Sequence, residues 1–133
     1  MKKLSFFLIV FMVSNLSAQD LSQYEKEKIV FKTDTLNYRI LKPLNYNPSK
    51  QYPVHLFLHG AGERGNDNES QLVHGAKLFL KKENREQFNS WVIFPQAPKN
   101  DWWGYKDPYK FAYNVKESNA MSLVIKFMDE FIK

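Results

Sequence analysis

The alternation of apolar and polar residues predicts a two-stranded hairpin early in the chain. Two short strand-like runs cover 28–33 and 36–41, and Asp34 and Thr35 between them have turn chemistry. A third run, 54–59, is almost continuously apolar and is followed by glycines. Such a run suits a strand that is buried on both faces, as in parallel sheets.

Two later stretches carry apolar residues at helical spacing. The first begins at Asn68, which can cap a helix with Gln71 in the capping-box position. Its apolar stripe consists of Leu72, Val73, Ala76, Phe79 and Leu80. A second buried-type strand, 91–94, follows and is expected to stop at Pro95. The second helical stripe consists of Met121, Val124, Ile125, Met128 and Ile132.

The elements therefore follow one another as hairpin, strand, helix, strand and helix. Strands that alternate with helices imply right-handed parallel crossovers and a layered α/β domain. In a doubly wound fold a further strand is expected directly after the last helix. We therefore expect residues 19–133 to hold an incomplete, amino-terminal part of an α/β sheet.

The first 18 residues have the layout of a bacterial secretory signal peptide. Lys2 and Lys3 precede a predominantly apolar run of ten residues, and a small polar segment leads to Ala18. The apolar run is too short to span a bilayer, which takes about 20 residues. No cysteine follows, which excludes a lipoprotein anchor. We expect a cleaved signal at 1–18, a secreted or periplasmic product and no membrane span in the mature domain, 19–133.

Charge and composition narrow the classes of partner. Without Lys2 and Lys3 the chain has 17 basic and 14 acidic residues, a net charge of +3, which gives no reason to expect nucleic acid as a partner. An exported domain without cysteine must rest on its core rather than on disulfides. The spacing of His55, His59 and His74 matches no standard zinc pattern, so we expect no metal, and no other cofactor is indicated.

Three glycines follow the third strand in the segment His59-Gly60-Ala61-Gly62-Glu63-Arg64-Gly65. The segment lies at the carboxyl end of the predicted sheet, where α/β proteins bind ligands. Glycine permits positive φ and lets backbone amides approach a ligand closely. A phosphate-binding P-loop would need Gly-Lys-Ser/Thr where Arg64-Gly65-Asn66 stands. The dinucleotide fingerprint matches formally, but Phe94-Pro95-Gln96 replaces the acidic residue expected at the end of the next strand.

An oxyanion hole is the interpretation that these comparisons favour. Acyl-transfer enzymes aim N–H donors at the charge that develops on a carbonyl oxygen, and α/β-hydrolases take one donor from a loop that often begins His-Gly. Leu58-His59-Gly60-Ala61-Gly62-Glu63-Arg64-Gly65-Asn66-Asp67-Asn68, with Phe94-Pro95-Gln96-Ala97-Pro98 after the next strand, resembles secreted bacterial esterases related to polyhydroxybutyrate depolymerases and dienelactone hydrolases. The resemblance covers residues 28 to 133. It implies the amino-terminal half of an α/β-hydrolase sheet and a small-molecule or polymer ester as substrate.

The resemblance also assigns roles within the turn. The backbone N–H of Ala61 would be one oxyanion donor, and Gly60 and Gly62 would shape the turn. For His59, a ring that braces the turn is favoured over one that transfers protons, because no serine lies nearby in the sequence.

Two features beside the turn can contact a substrate. The Glu63–Arg64 pair can clamp a carboxylate or hold the loop. Residues 101–113 are rich in aromatic side chains, and Trp102, Trp103 and Tyr105 can stack on sugar or aryl rings or instead cover the edge of the sheet.

A serine hydrolase also needs a nucleophile, a base and an acid, and the sequence contains no Gly-x-Ser-x-Gly elbow. The serines most worth checking, none of them flanked by glycine, are Ser70, Ser90, Ser118 and Ser122. In this family the order is Ser, Asp or Glu, then His, which places all three beyond residue 133. The sequence therefore favours a portion of a secreted serine esterase that supplies the oxyanion loop. The alternative is a non-catalytic secreted binding module that uses the aromatic loop 101–113.

Overall fold

A mixed four-stranded sheet lies between helices in the computed structural model, which describes residues 20–104 and 117–133. The strands are β1 (Glu25–Phe31), β2 (Asp34–Leu41), β3 (Val54–Leu56) and β4 (Trp91–Gln96). Their order across the sheet is β1-β2-β4-β3. The contacts of β2 with β1 and β4 are antiparallel, and β3 pairs in parallel with β4.

The predicted signal peptide, 1–18, lies outside the described residues. So do Tyr105 and the rest of the aromatic loop up to residue 113. Within the described ranges, no helix combines the length and the apolarity that crossing a membrane requires.

The hairpin turn lies two residues earlier than the turn predicted at Asp34 and Thr35. Lys32 and Thr33 form the turn, and Asp34 is already the first paired residue of β2. Lys32 takes the left-handed conformation with a φ of 57°, as hairpin turns of this length require. The resulting register sets Ile29 opposite Leu36, and both are buried. Burial of this apolar pair therefore outweighs the turn preference of the local sequence.

The single helix predicted from Asn68 is wrong, because the chain forms three short pieces there. These are a 3-10 turn at Ser70–Leu72, helix α1 (Ala76–Leu80) and helix α2 (Lys82–Gln87). Gly75 interrupts the first two with a φ of 84°, a conformation that glycine adopts readily. Val73, which was expected in the apolar stripe, is consequently exposed.

β4 does not stop at Pro95 but continues to Gln96. The parallel ladder with β3 ends where Leu56 pairs with Ile93. Beyond that point β4 has a ladder partner on one side only among the described residues. Proline is tolerated in such edge-like positions.

Helix α3 (Asn119–Phe131) packs on the other face of the sheet. Its N-cap residue is Ser118, whose hydroxyl oxygen accepts a hydrogen bond from the amide of Met121 at 3.1 Å. Its buried residues are Ala120, Leu123 and Val124. Ile125 and Ile132, which the sequence placed in the apolar stripe, are exposed. The helix is therefore rotated so that its small Ala120 faces the sheet.

Two apolar clusters cover the two faces of the sheet. The first contains Tyr24, Leu41, Leu72, Ala76, Val92 and Phe94. The second contains Ile29, Leu36, Ala97, Ala120, Leu123 and Val124. Helices on both sides of one sheet make the layered α/β architecture that the sequence predicts, so the predicted fold class is confirmed.

β3 forms one side of the described sheet. Its only ladder partner among the described residues is β4. Leu56 and Leu58 are each 36% exposed, whereas the apolar run predicted burial on both faces. An apolar strand with unpaired backbone groups on one edge promotes association between chains.

We expect Leu56→Lys to raise the soluble fraction of the 133-residue chain, because Leu56 is an exposed residue of β3 and a charge at an exposed edge opposes strand pairing between molecules. Light scattering of purified protein at matched concentrations measures the effect. Val73→Lys is the matched control, since Val73 is also exposed but does not belong to a strand. An equal gain from both variants would mean that the strand edge has no special role.

We expect Gly75→Ala to lower the free energy of unfolding by about 1–3 kcal/mol. The backbone there has a φ of 84°, and an added Cβ would come within 2.8 Å of the ring of Phe57. Gly62→Ala serves as the control, because a Cβ at Gly62 meets nothing within 4 Å. Urea denaturation of both variants checks the prediction, which a loss no larger than that of Gly62→Ala would contradict.

Candidate functional site

The glycine segment forms a short 3-10 turn, Ala61–Glu63, shortly after β3. Gly60 precedes it in an extended conformation with a φ of −80° and a ψ of −178°, and Arg64 leaves it in an extended conformation. The amide of Ala61 is the first in the turn and therefore has no acceptor within it. Residues 60–62 are exposed. The turn thus presents a backbone N–H to its surroundings, which is the chemistry that an oxyanion hole uses.

Close packing, not positive φ, accounts for two of the three glycines. Each has an ordinary φ. A Cβ on Gly65 would lie 3.2 Å from Nε2 of Gln96, and one on Gly60 would lie 3.1 Å from a carboxylate oxygen of Glu63. Gly62 has open space around it. The expectation that these glycines supply unusual backbone angles is therefore wrong.

His59 is buried beneath the turn, and both of its ring nitrogens are hydrogen-bonded. Nδ1 lies 2.6 Å from the carbonyl oxygen of Gly60, and Nε2 lies 3.0 Å from the amide nitrogen of Ala97. A carbonyl only accepts and an amide N–H only donates, so the ring is neutral with its proton on Nδ1. The indole N–H of Trp103 donates to the carbonyl of His59 at 3.0 Å. These contacts join the start of the turn to the segment after β4.

Burial lowers the pKa of His59 below its usual value of 6.5. The hydrogen bond to Gly60 and the nearby carboxylate of Glu63 act in the opposite direction. Protonation would place a second ring N–H against the amide N–H of Ala97 and break that bond. The imidazole is thus engaged in holding the backbone, with no nitrogen left to exchange protons with a substrate.

Three contacts hold Arg64 across the turn. Its Nε donates to the carbonyl of Ala61 at 2.9 Å, and Nη1 donates to the carbonyl of Lys99 at 3.1 Å. Its guanidinium carbon lies 3.5 Å from the centre of the Trp102 ring. Of the two roles open to Arg64, these contacts favour holding the loop over clamping a substrate carboxylate.

Trp102 and Trp103 lie against the turn, and both are half-buried. The guanidinium of Arg64 covers one face of the Trp102 ring. The ring of Trp103 packs edge-on against His59, with 5.0 Å between the ring centres. Tyr105, the third aromatic residue expected to contact substrate, lies outside the described residues. The contacts of the two tryptophans are those of a support for the turn.

Gln96, at the end of β4, is buried beneath the loop that follows the turn. Its Nε2 donates to the carbonyl of Glu63 at 3.1 Å and to Oδ1 of Asp67 at 2.8 Å. Its Oε1 accepts from the amide of Asn68 at 2.8 Å. The sequence gives no motif or periodicity that marks this glutamine. Its only signal is its place in the Phe94–Pro98 string.

Asp67, not the predicted Asn68, caps the 3-10 turn at Ser70–Leu72. Its carboxylate accepts from the hydroxyl and amide of Ser70 and from the amide of Glu69. These hydrogen bonds, the Ser70 hydroxyl foremost, hold the pKa of Asp67 well below its usual value of 3.8. Asn68 has a φ of 55°, a left-handed conformation that asparagine tolerates better than most residues. The carboxylate of Asp67 and the left-handed backbone of Asn68 therefore together shape the end of the loop.

Three of the four serines considered as nucleophiles serve local structure. The hydroxyl of Ser70 donates to Asp67, that of Ser118 caps α3, and that of Ser122 donates to Glu117 at 3.0 Å. The hydroxyls of Ser70 and Ser122 are engaged within their own segments, and that of Ser118 also donates to the carbonyl of Trp102. None of the three has the glycine-flanked setting of a nucleophile elbow.

Ser90 makes the one serine–histidine contact seen among the described residues, with 2.9 Å between its Oγ and Nδ1 of His55. Ser90 precedes β4 and Ala97 follows it, so the two are about 20 Å apart at the usual rise of a strand. His59 and the glycine turn lie at the Ala97 end. The Ser90–His55 pair is therefore at the opposite edge of the sheet and cannot share a substrate carbonyl with Ala61.

The chemistry that the turn itself offers is hydrogen-bond donation from the backbone. Within the described ranges, no three His, Asp or Glu side chains are grouped as metal ligands. The carboxylate of Glu63 lies 3.4 Å from Nε2 of the exposed His74, a surface pair of small energetic value.

The fold is similar to that of a thermostable esterase whose crystal structure is known. The TM-score is 0.69 with 28% sequence identity, and the match covers 81% of this chain and 30% of the esterase chain. The chain therefore spans less than a third of the esterase. No protein-family profile matches the sequence, and no curated protein is significantly similar to it. The similarity supports the predicted fold at the level of a partial α/β-hydrolase sheet.

We expect the free energy of unfolding to fall as the pH drops below about 6.5. Because the folded pKa of His59 is below its unfolded value, the unfolded chain binds more protons, and stability is lost as the pH falls through the folded pKa. His59→Gln cannot take up this proton, so it should show a shallower loss on acidification. Urea denaturation over a pH series measures the effect, and parallel wild-type and His59→Gln curves would contradict the prediction.

Proposed function

We propose that this chain is a portion of a secreted serine carboxylic-ester hydrolase in which the glycine turn supplies an oxyanion-hole donor. The observation that carries the proposal is that Ala61 is exposed and begins a 3-10 turn that His59 holds from below. The structural similarity to an esterase supports ester hydrolysis as the reaction class. The leader-like residues 1–18 support export. The Leu58–Asn68 and Phe94–Pro98 strings support a relationship to polyhydroxybutyrate depolymerases and dienelactone hydrolases.

In this reaction a serine oxygen attacks the ester carbonyl, and negative charge develops on the carbonyl oxygen. The N–H of Ala61 would donate to that oxygen. A donor that is already in place stabilises the transition state without reorganisation at the moment of attack. The bonds that Ala97, Trp103 and Gln96 make to the turn and its loop supply this rigidity. The nucleophile, base and acid come, in this proposal, from residues beyond 133.

A non-catalytic binding module that uses residues 101–113 has less support. The module needs aromatic faces that are free to stack on a ligand. Trp102 and Trp103 instead contact Arg64 and His59.

The coding sequence after codon 133 gives the first test. We expect a Gly-x-Ser-x-Gly elbow within about 30 residues. The longer protein should hydrolyse a p-nitrophenyl ester and react covalently with a fluorophosphonate, whereas the 133-residue chain should do neither. A stop codon there, with no hydrolase remnant in any reading frame, would contradict the proposal.

Within the longer protein, Ala61→Pro should lower kcat on the order of a hundredfold, because proline has no N–H to donate. The first position of a helical turn accepts the φ of proline, so the variant should fold. Ala61→Gly retains the N–H and should stay within a few-fold of wild type. Steady-state kinetics on both, with thermal melting as a check on folding, measures the contrast. Equal activity of Ala61→Pro and wild type would remove Ala61 from the oxyanion hole.

A further inference from the structure

Two consecutive residues at the end of β4 hold the glycine loop at both of its ends. The amide of Ala97 donates to His59 at 3.0 Å, and its carbonyl accepts from the amide of Gly65 at 2.9 Å. The side chain of Gln96 reaches Glu63 and the Asp67–Asn68 corner. The backbone of Ala97 makes its bonds whatever its side chain is. Of these two residues, Gln96 is therefore the one whose side chain determines the conformation of the glycine loop.

A carboxamide is the side chain that this position requires. It must donate to the Glu63 carbonyl and the Asp67 carboxylate while it accepts from the Asn68 amide. A carboxylate could not donate, and an apolar side chain would leave the Glu63 carbonyl and the Asn68 amide without this partner. Gln96 is 1% exposed, so water does not replace these bonds. Nε2 also lies 3.2 Å from where a Cβ on Gly65 would be, which ties that glycine to the same contact.

We propose that Gln96 is a positioning residue that sets the place of the Ala61 amide through the carbonyl of Glu63 and the carboxylate of Asp67. The inference rests on the proposed oxyanion role of Ala61. Glu63 is the last residue of the 3-10 turn that Ala61 begins, so a shift of its carbonyl rotates the whole turn. Gln96 itself lies below the loop and does not contact the reacting atoms. A displacement of about 1 Å in such a site costs up to a hundredfold in rate.

The charge state of the partner supports this role. Hydrogen bonds from Ser70, Glu69 and Gln96 hold the pKa of Asp67 far below neutrality. Asp67 therefore presents a carboxylate to the Nε2 of Gln96 at neutral pH. A charged acceptor strengthens this bond relative to one between neutral groups.

Amide hydrogen exchange in the full 133-residue chain tests the contact without any need for activity. We expect Gln96→Ala and Gln96→Glu to raise exchange at residues 63–68 at least tenfold while the β1–β2 hairpin keeps its protection. Gln87→Ala removes an exposed glutamine at the end of α2 and should leave both regions unchanged. Equal exchange at 63–68 in the Gln96 variants and in Gln87→Ala would overturn the proposal.

Kinetics of the longer protein tests the consequence for catalysis. Gln96→Glu keeps the size of the side chain and replaces the donor with a carboxylate that faces the carboxylate of Asp67, whereas Gln96→Ala removes the side chain without adding charge. We expect kcat to fall at least tenfold, with KM within about twofold, because the transition state alone needs the aligned donor. Gly65→Ala should lower kcat in the same way by pushing against Nε2 of Gln96. Gln87→Ala should keep wild-type kinetics.

The outcomes separate this proposal from the proposed function. A wild-type longer protein that hydrolyses no ester would remove the proposed function, and exchange at 63–68 would still decide whether Gln96 holds the loop. An active wild type whose Gln96 variants lose loop protection but keep kcat would overturn the positioning role alone. A fall in kcat together with loss of hairpin protection in both Gln96 variants would assign Gln96 to general stability and would also overturn it.

Discussion

The carboxyl end of β4 is the place on which the loop geometry depends. The backbone N–H and C=O groups of a loop that are shielded from water need hydrogen-bond partners. In this loop many of those partners are on Gln96 and Ala97. The guanidinium of Arg39 on β2 adds a second anchor, with Nε donating to the carbonyl of Asn68 at 2.6 Å. These groups are buried, so each bond that is lost would leave an unsatisfied polar atom away from water. These bonds favour one arrangement of the loop, in which Ala61 begins the 3-10 turn and is exposed.

The hydrogen bonds already made within the site determine which groups can face a substrate. His59, Trp103 and Arg64 are the residue types from which catalytic or binding roles are usually expected. Side-chain nitrogens of all three are instead hydrogen-bonded to the backbone of the turn or its neighbours. What is left to face a substrate is the backbone itself. In a site of this kind the backbone conformation provides the binding groups, and the side chains maintain that conformation.

The sequence predicts the architecture well and the loop poorly, for a physical reason. The hairpin and α3 follow from the periodic placement of apolar residues, and the pair β3–β4 follows from two nearly continuous apolar runs. Both patterns are visible in a single sequence. The break at Gly75 and the cap at Asp67 depend on contacts between distant segments, such as Phe57 against Gly75 and Gln96 against Asp67. Local propensity at those positions favours a continuous helix capped at Asn68. The candidate site was located through the glycine string, but its buried support on β4 has no periodic signature.

The anchors of the loop have a further property, which is their direction along the chain. Apart from Arg39, the anchors described above follow the loop and the turn in sequence, and they lie on Gln96, Ala97, Lys99 and Trp103. Among the described residues, the ladder partner of β3 is likewise a strand that comes more than 30 residues later. During synthesis, the glycine turn therefore lacks most of the bonds that hold it until β4 and the tryptophans have emerged. The order of emergence thus delays the shaping of the turn until the strand that supports it is present.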